Sequence, residues 1–201
     1  DHRDLNVNIK GVFNKEELIG HLVTMKDVTE RERMQRQLTE MAHTDVLSGL
    51  NNRRYFMERA EEGFKRAKRY NETISVLMMD LDHFKSINDA LGHHAGDRVI
   101  QTFSGMLNSA FRGTDVTGRM GGEEFSVIML NADAGIAKEK AELFRSMVES
   151  QILTIENQTL TLTVSIGVAE ITDDIDSFEA LLIQADHRLY EAKHAGRNCV
   201  R

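Results

Sequence analysis

Apolar and polar residues alternate at the start of the chain, in Asn6-Val7-Asn8-Ile9-Lys10-Gly11-Val12-Phe13 and again in His21-Leu22-Val23-Thr24-Met25-Lys26-Asp27-Val28. A period of two, with polar Asn14-Lys15-Glu16-Glu17 between the runs, predicts a β-hairpin. Two strands bury too little to stand alone in water, so the hairpin is expected to be the end of a larger sheet domain. From Thr29 the period becomes helical. Thr29-Glu30-Arg31-Glu32 has the form of a capping box, and Met34, Leu38 and Met41 follow at spacings of four and three. Charged Glu30, Arg31, Glu32, Arg33, Arg36 and Glu40 flank this narrow seam, as in a short coiled coil, although a surface helix packed on its own domain has the same pattern.

Beyond Thr44 the periods alternate in type. They predict a helix over about Arg53 to Arg69, a strand over Ile74 to Met79, and helices over about Phe84 to Leu91 and Ala95 to Phe111. A hairpin over Val116 to Leu130, a helix over about Ala134 to Ser150, strands near Thr159 to Thr163 and Ser165 to Glu170, and a helix over about Ser177 to His194 follow. The run Ile74-Ser75-Val76-Leu77-Met78-Met79 is apolar on both parities, as a central strand covered on both faces requires. The fold class is therefore α/β, or α+β.

Composition narrows the function classes. With 41 % hydrophobic residues and 28 % charged, the 201-residue chain can bury a core and is not a disordered one. A single cysteine, Cys199, cannot form an internal disulfide, so a reducing cytoplasm is the expected compartment. No apolar run approaches a membrane span. The net charge of −7 lacks the basic footprint of non-specific nucleic-acid binding, so neither nucleic acid nor a membrane is expected as a direct partner.

Four clusters carry candidate chemistry. Asp80 and Asp82 end the apolar strand, where open sheets place their ligand crevice; they can ligate a hard cation together, or Asp82 can cap the next helix. In Arg119-Met120-Gly121-Gly122-Glu123-Glu124-Phe125 the two glycines can supply the positive φ of a two-residue turn. Strand parity then lets only one of Glu123 and Glu124 face a given site, without choosing between them. Between Phe84 and Asp97, Asn88 offers an amide donor and acceptor and Asp97 an acceptor, a sensible pair for a guanine edge; Gly92 and Gly96-Asp97 also read as helix punctuation. Lys193 and Arg197 can reach phosphate oxygens, but their spacing alone favours a role at the C-terminal end of the helix dipole.

Together these blocks resemble the GGDEF diguanylate cyclases, bacterial enzymes that condense two GTP into cyclic di-GMP. The resemblance covers about Thr44 to Arg201. It runs through Asp45-Val46-Leu47-Ser48-Gly49-Leu50-Asn51-Asn52-Arg53-Arg54, the Asp80-to-Asp97 block, Gly-Gly-Glu-Glu-Phe at 121 to 125, and Ala192-Lys193-His194-Ala195-Gly196-Arg197-Asn198. Residues 1–28 resemble the end of a PAS sensor domain, whose last strand runs into a linker of the Asp27-to-Arg31 type, leaving residues 29–43 as a coiled-coil signalling helix. The resemblance implies a central mixed sheet flanked by helices, like a nucleotidyl cyclase or polymerase palm, behind an N-terminal linker helix.

It also implies roles. Asp80, Leu81, Glu123 and Glu124 would hold two Mg²⁺ or Mn²⁺ ions per active site, with Glu123 central and assisting deprotonation of the 3′-hydroxyl. Asn88 and Asp97 would read guanine. Lys85, Lys193 and Arg197 would meet the phosphates with the backbone around His83 and Phe84, and Arg119 would stabilise charge near the transition state. One GTP per subunit implies a homodimer, for which the linker helix raises the local concentration of cyclase domains. Arg112-Gly113-Thr114-Asp115 has the place and pattern of the family's inhibitory product site for cyclic di-GMP, with Arg66 as a secondary contact. Alternatives are a catalytically silent cyclic di-GMP receptor and a cyclase making another cyclic nucleotide.

Overall fold

The computed structural model describes residues 3–14, 16–31, 33–34, 42–155 and 158–201. Two compact units are present, Asp1–Ala42 and His43–Arg201. In the first, β1 (Leu5–Asn14) and β2 (Glu17–Asp27) form the expected antiparallel hairpin, with a bulge at Val12/Phe13. Leu5, Val7, Ile9, Leu22, Val23 and Met25 are all exposed on it. Residues 29–31 and 33–34 are helical. The Thr29 hydroxyl donates to the Asp27 carboxylate at 2.6 Å and accepts from the Asp4 amide at 2.9 Å. The Asp27 carboxylate also accepts the Thr29 N–H at 3.0 Å, and these two bonds from Thr29 hold its carboxyl below the ordinary value. Glu32, Leu38 and Met41, on which the capping box and the coiled-coil seam depend, lie outside the described residues.

The second unit is three-layered, with a five-stranded mixed sheet between two pairs of helices. Sheet order is β3 (Asn51–Asn52), β5 (Val116–Gly121), β6 (Glu124–Leu130), β4 (Ile74–Leu81), β9 (Val164–Glu170). Only β3 and β5 run parallel; the other pairs are antiparallel. Alternation along β4 explains its uniformly apolar run. Leu77, Met79 and Leu81 pack with Val99, Phe103 and Leu107 of α3 (His93–Ala110) and Phe144 of α4 (Ala134–Ser150). Ile74, Val76 and Met78 pack with Phe56 and Phe64 of α1 (Arg53–Tyr70) and Phe178 and Leu189 of α5 (Phe178–His194). Short α2 (Phe84–Leu91) connects β4 to α3.

Two strands were not expected. β7 (Ile152–Ile155) pairs with β8 (Gln158–Thr161) in a separate hairpin, and β3 consists of two residues whose strand character comes from pairing with Gly118 and Arg119. No helix of the described residues is long and apolar enough to cross a membrane.

Gly167 fixes the distance between α5 and β9. A Cβ on it would stand 2.1 Å from the Ala185 carbonyl and 2.2 Å from the Leu189 amide, backbone atoms with nowhere to go. Gly167→Ala must push the helix off the sheet. It should destabilise the domain by about 3 kcal/mol, the upper end of ordinary overpacking costs, and lower Tm by roughly 6–12 °C. A Tm within about 1 °C of the parent protein would mean that the contact is looser than the geometry implies.

Candidate active site

The site is built at the end of β4, where the buried strand runs out into charge. Asp80 is only 8 % exposed. By the alternation that sends Met78 towards α1 and α5, Asp80 faces the same way, and Lys193 in the last turn of α5 meets it: Nζ lies 2.7 Å from Asp80 Oδ2. Burial pushes the Asp80 carboxyl above its ordinary value; Lys193 pulls against that, and the neighbouring Asp82 adds to it. Arg197, beyond the helix end, contributes a second, weaker favourable charge. The spacing argument that assigned Lys193 to the helix dipole missed this partner, which lies on another element.

Asp82 does not cap the next helix. Its carboxylate is buried and accepts three hydrogen bonds, from Ser165 Oγ at 2.7 Å, Thr163 Oγ1 at 2.9 Å and the Asn198 amide at 3.0 Å. It ties the end of β4 to the start of β9 and to the C-terminal segment that carries Arg197. That segment continues beside β9, where Ile166 and Val168 donate to the Cys199 and Arg201 carbonyls. His83, not Asp82, stands at the N-terminus of α2, in a left-handed conformation with φ 58° and no side-chain cap.

The hairpin carboxylates approach the same strand end. Its turn is one residue later than the glycine pair suggests: β5 ends at Gly121, β6 starts at Glu124, and Gly122 and Glu123 make the turn. A register shift between Arg119 and Gly121 breaks strict alternation. Glu124 sits directly across from Asp80 in the β4–β6 ladder, so the two share a sheet face. Glu123 reaches the strand end from the turn, its carbonyl accepting the Leu81 amide at 3.2 Å. Its half-buried carboxyl is pushed up by burial first and by Asp80 second, with Lys193 opposing and Glu124 adding. Parity had allowed one glutamate near the site; the shifted register brings both to Asp80.

Arg119 is committed to this turn. Its Nε and one terminal nitrogen donate to the Gly122 carbonyl at 3.0 and 2.7 Å, and the other donates to Asp45 at 2.9 Å. Asp45 is held below its ordinary pKa by hydrogen bonds from Ser48 and Arg119 that outweigh its burial. These bonds tie Arg119 to the turn and to Asp45.

Asn88 on α2 and Asp97 on α3 lie on adjoining helices; Asn88 is half-buried, Asp97 and Lys85 are exposed, and none has a side-chain partner among the described residues. Further off, the Arg112-to-Asp115 segment closes on itself: the Asp115 carboxylate accepts the Arg112 amide at 3.0 Å and the Asp115 amide donates to the Arg112 carbonyl at 2.9 Å. The Arg112 guanidinium is exposed and has no ion-pair partner among the described residues. Arg66, expected as a secondary contact there, pairs with Glu72 at 3.1 Å.

Carboxylates this crowded and partly desolvated, with Asp80 and Glu123 both held above their ordinary values by burial first, are a hard-oxygen donor set short of positive charge. Among the described residues no group of three or more His, Cys, Asp or Glu side chains is arranged to hold a metal ion by itself.

The family described as diguanylate cyclase, GGDEF domain, matches residues 42–199. The chain is 38 % identical over 167 residues to diguanylate cyclase A of Treponema denticola, covering 82 % of this chain and 45 % of that protein. It is 42 % identical over 163 residues to the response regulator PleD of Caulobacter vibrioides, covering 80 % and 36 %. The chain thus spans less than half the length of these curated relatives. Among solved structures it is similar to the coiled coil and GGDEF domain of DgcB from Caulobacter crescentus in complex with c-di-GMP, with TM-score 0.80 and 31 % identity over 85 % of this chain and 91 % of that one. It is also similar to the active GGEEF domain of a diguanylate cyclase from Vibrio cholerae, with TM-score 0.70 and 30 % identity over 74 % and 94 %. The helix-flanked mixed sheet is shared with these structures, and the chain belongs to the GGDEF family of diguanylate cyclases.

Proposed function

We propose that residues 44–201 are a diguanylate cyclase module, condensing two GTP into cyclic di-GMP with release of two pyrophosphates. The observation that carries this reading is the meeting of Asp80, Glu123 and Lys193 at one strand end in a chain of this family. Asp80 and Glu123, with Glu124 and the Leu81 carbonyl, would hold two Mg²⁺ or Mn²⁺ ions. When bound, such ions neutralise the triphosphate and lower the pKa of the attacking 3′-hydroxyl.

The chain's own residues do the rest. Asn88 and Asp97 hydrogen-bond the guanine edge. Lys85, Lys193 and Arg197 meet the phosphates, helped by the uncapped N-terminal turn of α2 at His83 and Phe84. Lys193 exchanges its contact with Asp80 for one with substrate. Glu123 receives the 3′-hydroxyl proton, and Arg119 keeps the Gly122–Glu123 turn in place through Gly122 and Asp45. Each hydroxyl attacks the α-phosphate of the other GTP in line; one P–O bond forms as the bond to pyrophosphate breaks. Neither nucleotide can react within its own subunit, so two copies must face one another. The linker helix over residues 29–43 promotes that pairing, and the hairpin of β1 and β2, apolar and exposed on its own, is read as the end of a PAS-like sensor domain in the cytoplasm.

The test is incubation of the protein with GTP and Mg²⁺ and identification of the product by mass. Cyclic di-GMP and pyrophosphate in a 1:2 ratio are expected; binding of cyclic di-GMP without turnover would instead establish a silent receptor. Glu123→Gln should keep the domain folded while lowering kcat by at least roughly 10²- to 10³-fold. Since burial and Asp80 raise the Glu123 carboxyl, its ionisation opposes folding at neutral pH, and the amide should leave the metal-free Tm equal or higher. Retained turnover would remove Glu123 from the mechanism, and loss of folding would make its role structural.

We also propose that Arg112 and Asp115 form an inhibitory site for cyclic di-GMP, a reading supported by the unpaired guanidinium beside a closed turn. Losing one charge-assisted contact costs about 1.5–3 kcal/mol, so Arg112→Ala should weaken product binding roughly tenfold or more with the initial rate unchanged. Progress curves that still slow at the same product concentration would place regulation elsewhere.

A further inference from the structure

Glycine lowers helix stability relative to alanine, yet Gly96 stands buried in the first turns of α3 with nothing unusual in its backbone. Its surroundings supply the reason. A Cβ at this position would lie 1.9 Å from Asn88 Oδ1, 2.9 Å from Asn88 Cγ and 3.1 Å from Phe84 Cζ. The Asn88 amide therefore rests directly on the Gly96 Cα. The two helices are drawn together there by the turn at Gly92, whose amide donates to the Asn88 carbonyl at 2.8 Å and whose carbonyl accepts the Gly96 amide at 3.4 Å. Every atom closer than 3.0 Å belongs to the Asn88 side chain and none to backbone, so a methyl at 96 is relieved by rotating that side chain rather than by parting the helices.

We propose that Gly96 is a positioning residue for nucleotide specificity: its missing side chain fixes the rotamer in which Asn88 presents its amide beside Asp97. This rests on the reading of Asn88 as a guanine contact. The Asn88 amide has no hydrogen-bond partner among the described residues. Shape holds it, and Gly96 is half of that shape. The contact is with the base, so misplacing the amide weakens a guanine nucleotide and spares an adenine one.

The test is a double-mutant cycle of Gly96→Ala and Asn88→Ala, read by calorimetric binding of the unreactive α,β-methylene analogues of GTP and ATP with Mg²⁺, and by Tm. Gly96→Ala alone should weaken the GTP analogue about tenfold and leave the ATP analogue unchanged. On the Asn88→Ala background, where nothing occupies the space above Cα, the same substitution should change GTP-analogue affinity less than twofold and raise Tm. Equal weakening on both backgrounds would mean that Gly96 acts through another contact and overturns the proposal. So would an unaltered affinity in Gly96→Ala when Asn88→Ala alone weakens binding, and in that case the guanine reading survives. If Asn88→Ala leaves GTP-analogue binding intact, the guanine reading fails and takes the positioning role with it. Should Gly96→Ala fail to fold, the double variant decides: folding there confirms that Asn88 is what the methyl strikes, and failure there overturns the proposal.

Discussion

A carboxylate largely buried at the end of a strand has to be given a positive partner, and the arrangement of this domain follows from how Asp80 obtains one. The strand that carries it is buried on both faces because helices cover both. Asp80 is thus removed from solvent by the same packing that makes β4 the spine of the sheet. An isolated buried anion shifts its pKa and neutralises. Here Lys193, delivered by the last turn of α5, opposes that shift, and α5 can deliver it because Gly167 lets the helix sit against β9. The site is then conditional by construction. Two more carboxylates, Glu123 and Glu124, are added where one is already hard to keep charged, so the cluster is short of positive charge.

Holding such a cluster takes structure that carries no charge to the reaction. Asp82 spends its carboxylate on Thr163, Ser165 and Asn198, which locks the C-terminal segment to the strand end. Arg119 spends its guanidinium on Gly122 and Asp45, which locks the turn. In both cases an ionised group with several lone pairs or donors replaces several weaker contacts, and does so next to the groups whose positions matter most.

Much of this was legible in local pattern, and what was not legible has a common cause. The uniform apolar run from Ile74 to Met79 announced a strand covered on both sides. Phe84 and Ala134 marked helix starts at the positions observed, and Asp133 and Ser177 cap α4 and α5 as their residue types predict. The partners of Asp82 lie 81, 83 and 116 residues away, so no window on the sequence could find them. The same holds for Lys193 and Asp80. The turn slipped by one residue because Gly-Gly fits a two-residue loop equally well in neighbouring registers, and the bulge before Gly121 decides between them. β3 has no pattern to find, being a strand only through its pairing, whereas the buried-exposed alternation of Ile152 to Ile155 was present but too short to separate from a helix end.

The central claim, that Asp80 is an anion kept so by Lys193, is tested most directly by following Tm against pH for the metal-free protein and for Lys193→Met. Removing the ammonium leaves burial unopposed and raises the folded-state pKa of Asp80 further. A carboxyl raised in the folded state favours folding at low pH and loses that contribution as pH rises through its folded value. The variant should therefore be less stable than the parent protein at pH 8, with the deficit shrinking steadily towards pH 5 as Asp80 protonates. A deficit that stays constant across that range, or no deficit at all, would contradict the account, because Asp80 would then not depend on Lys193 for its charge.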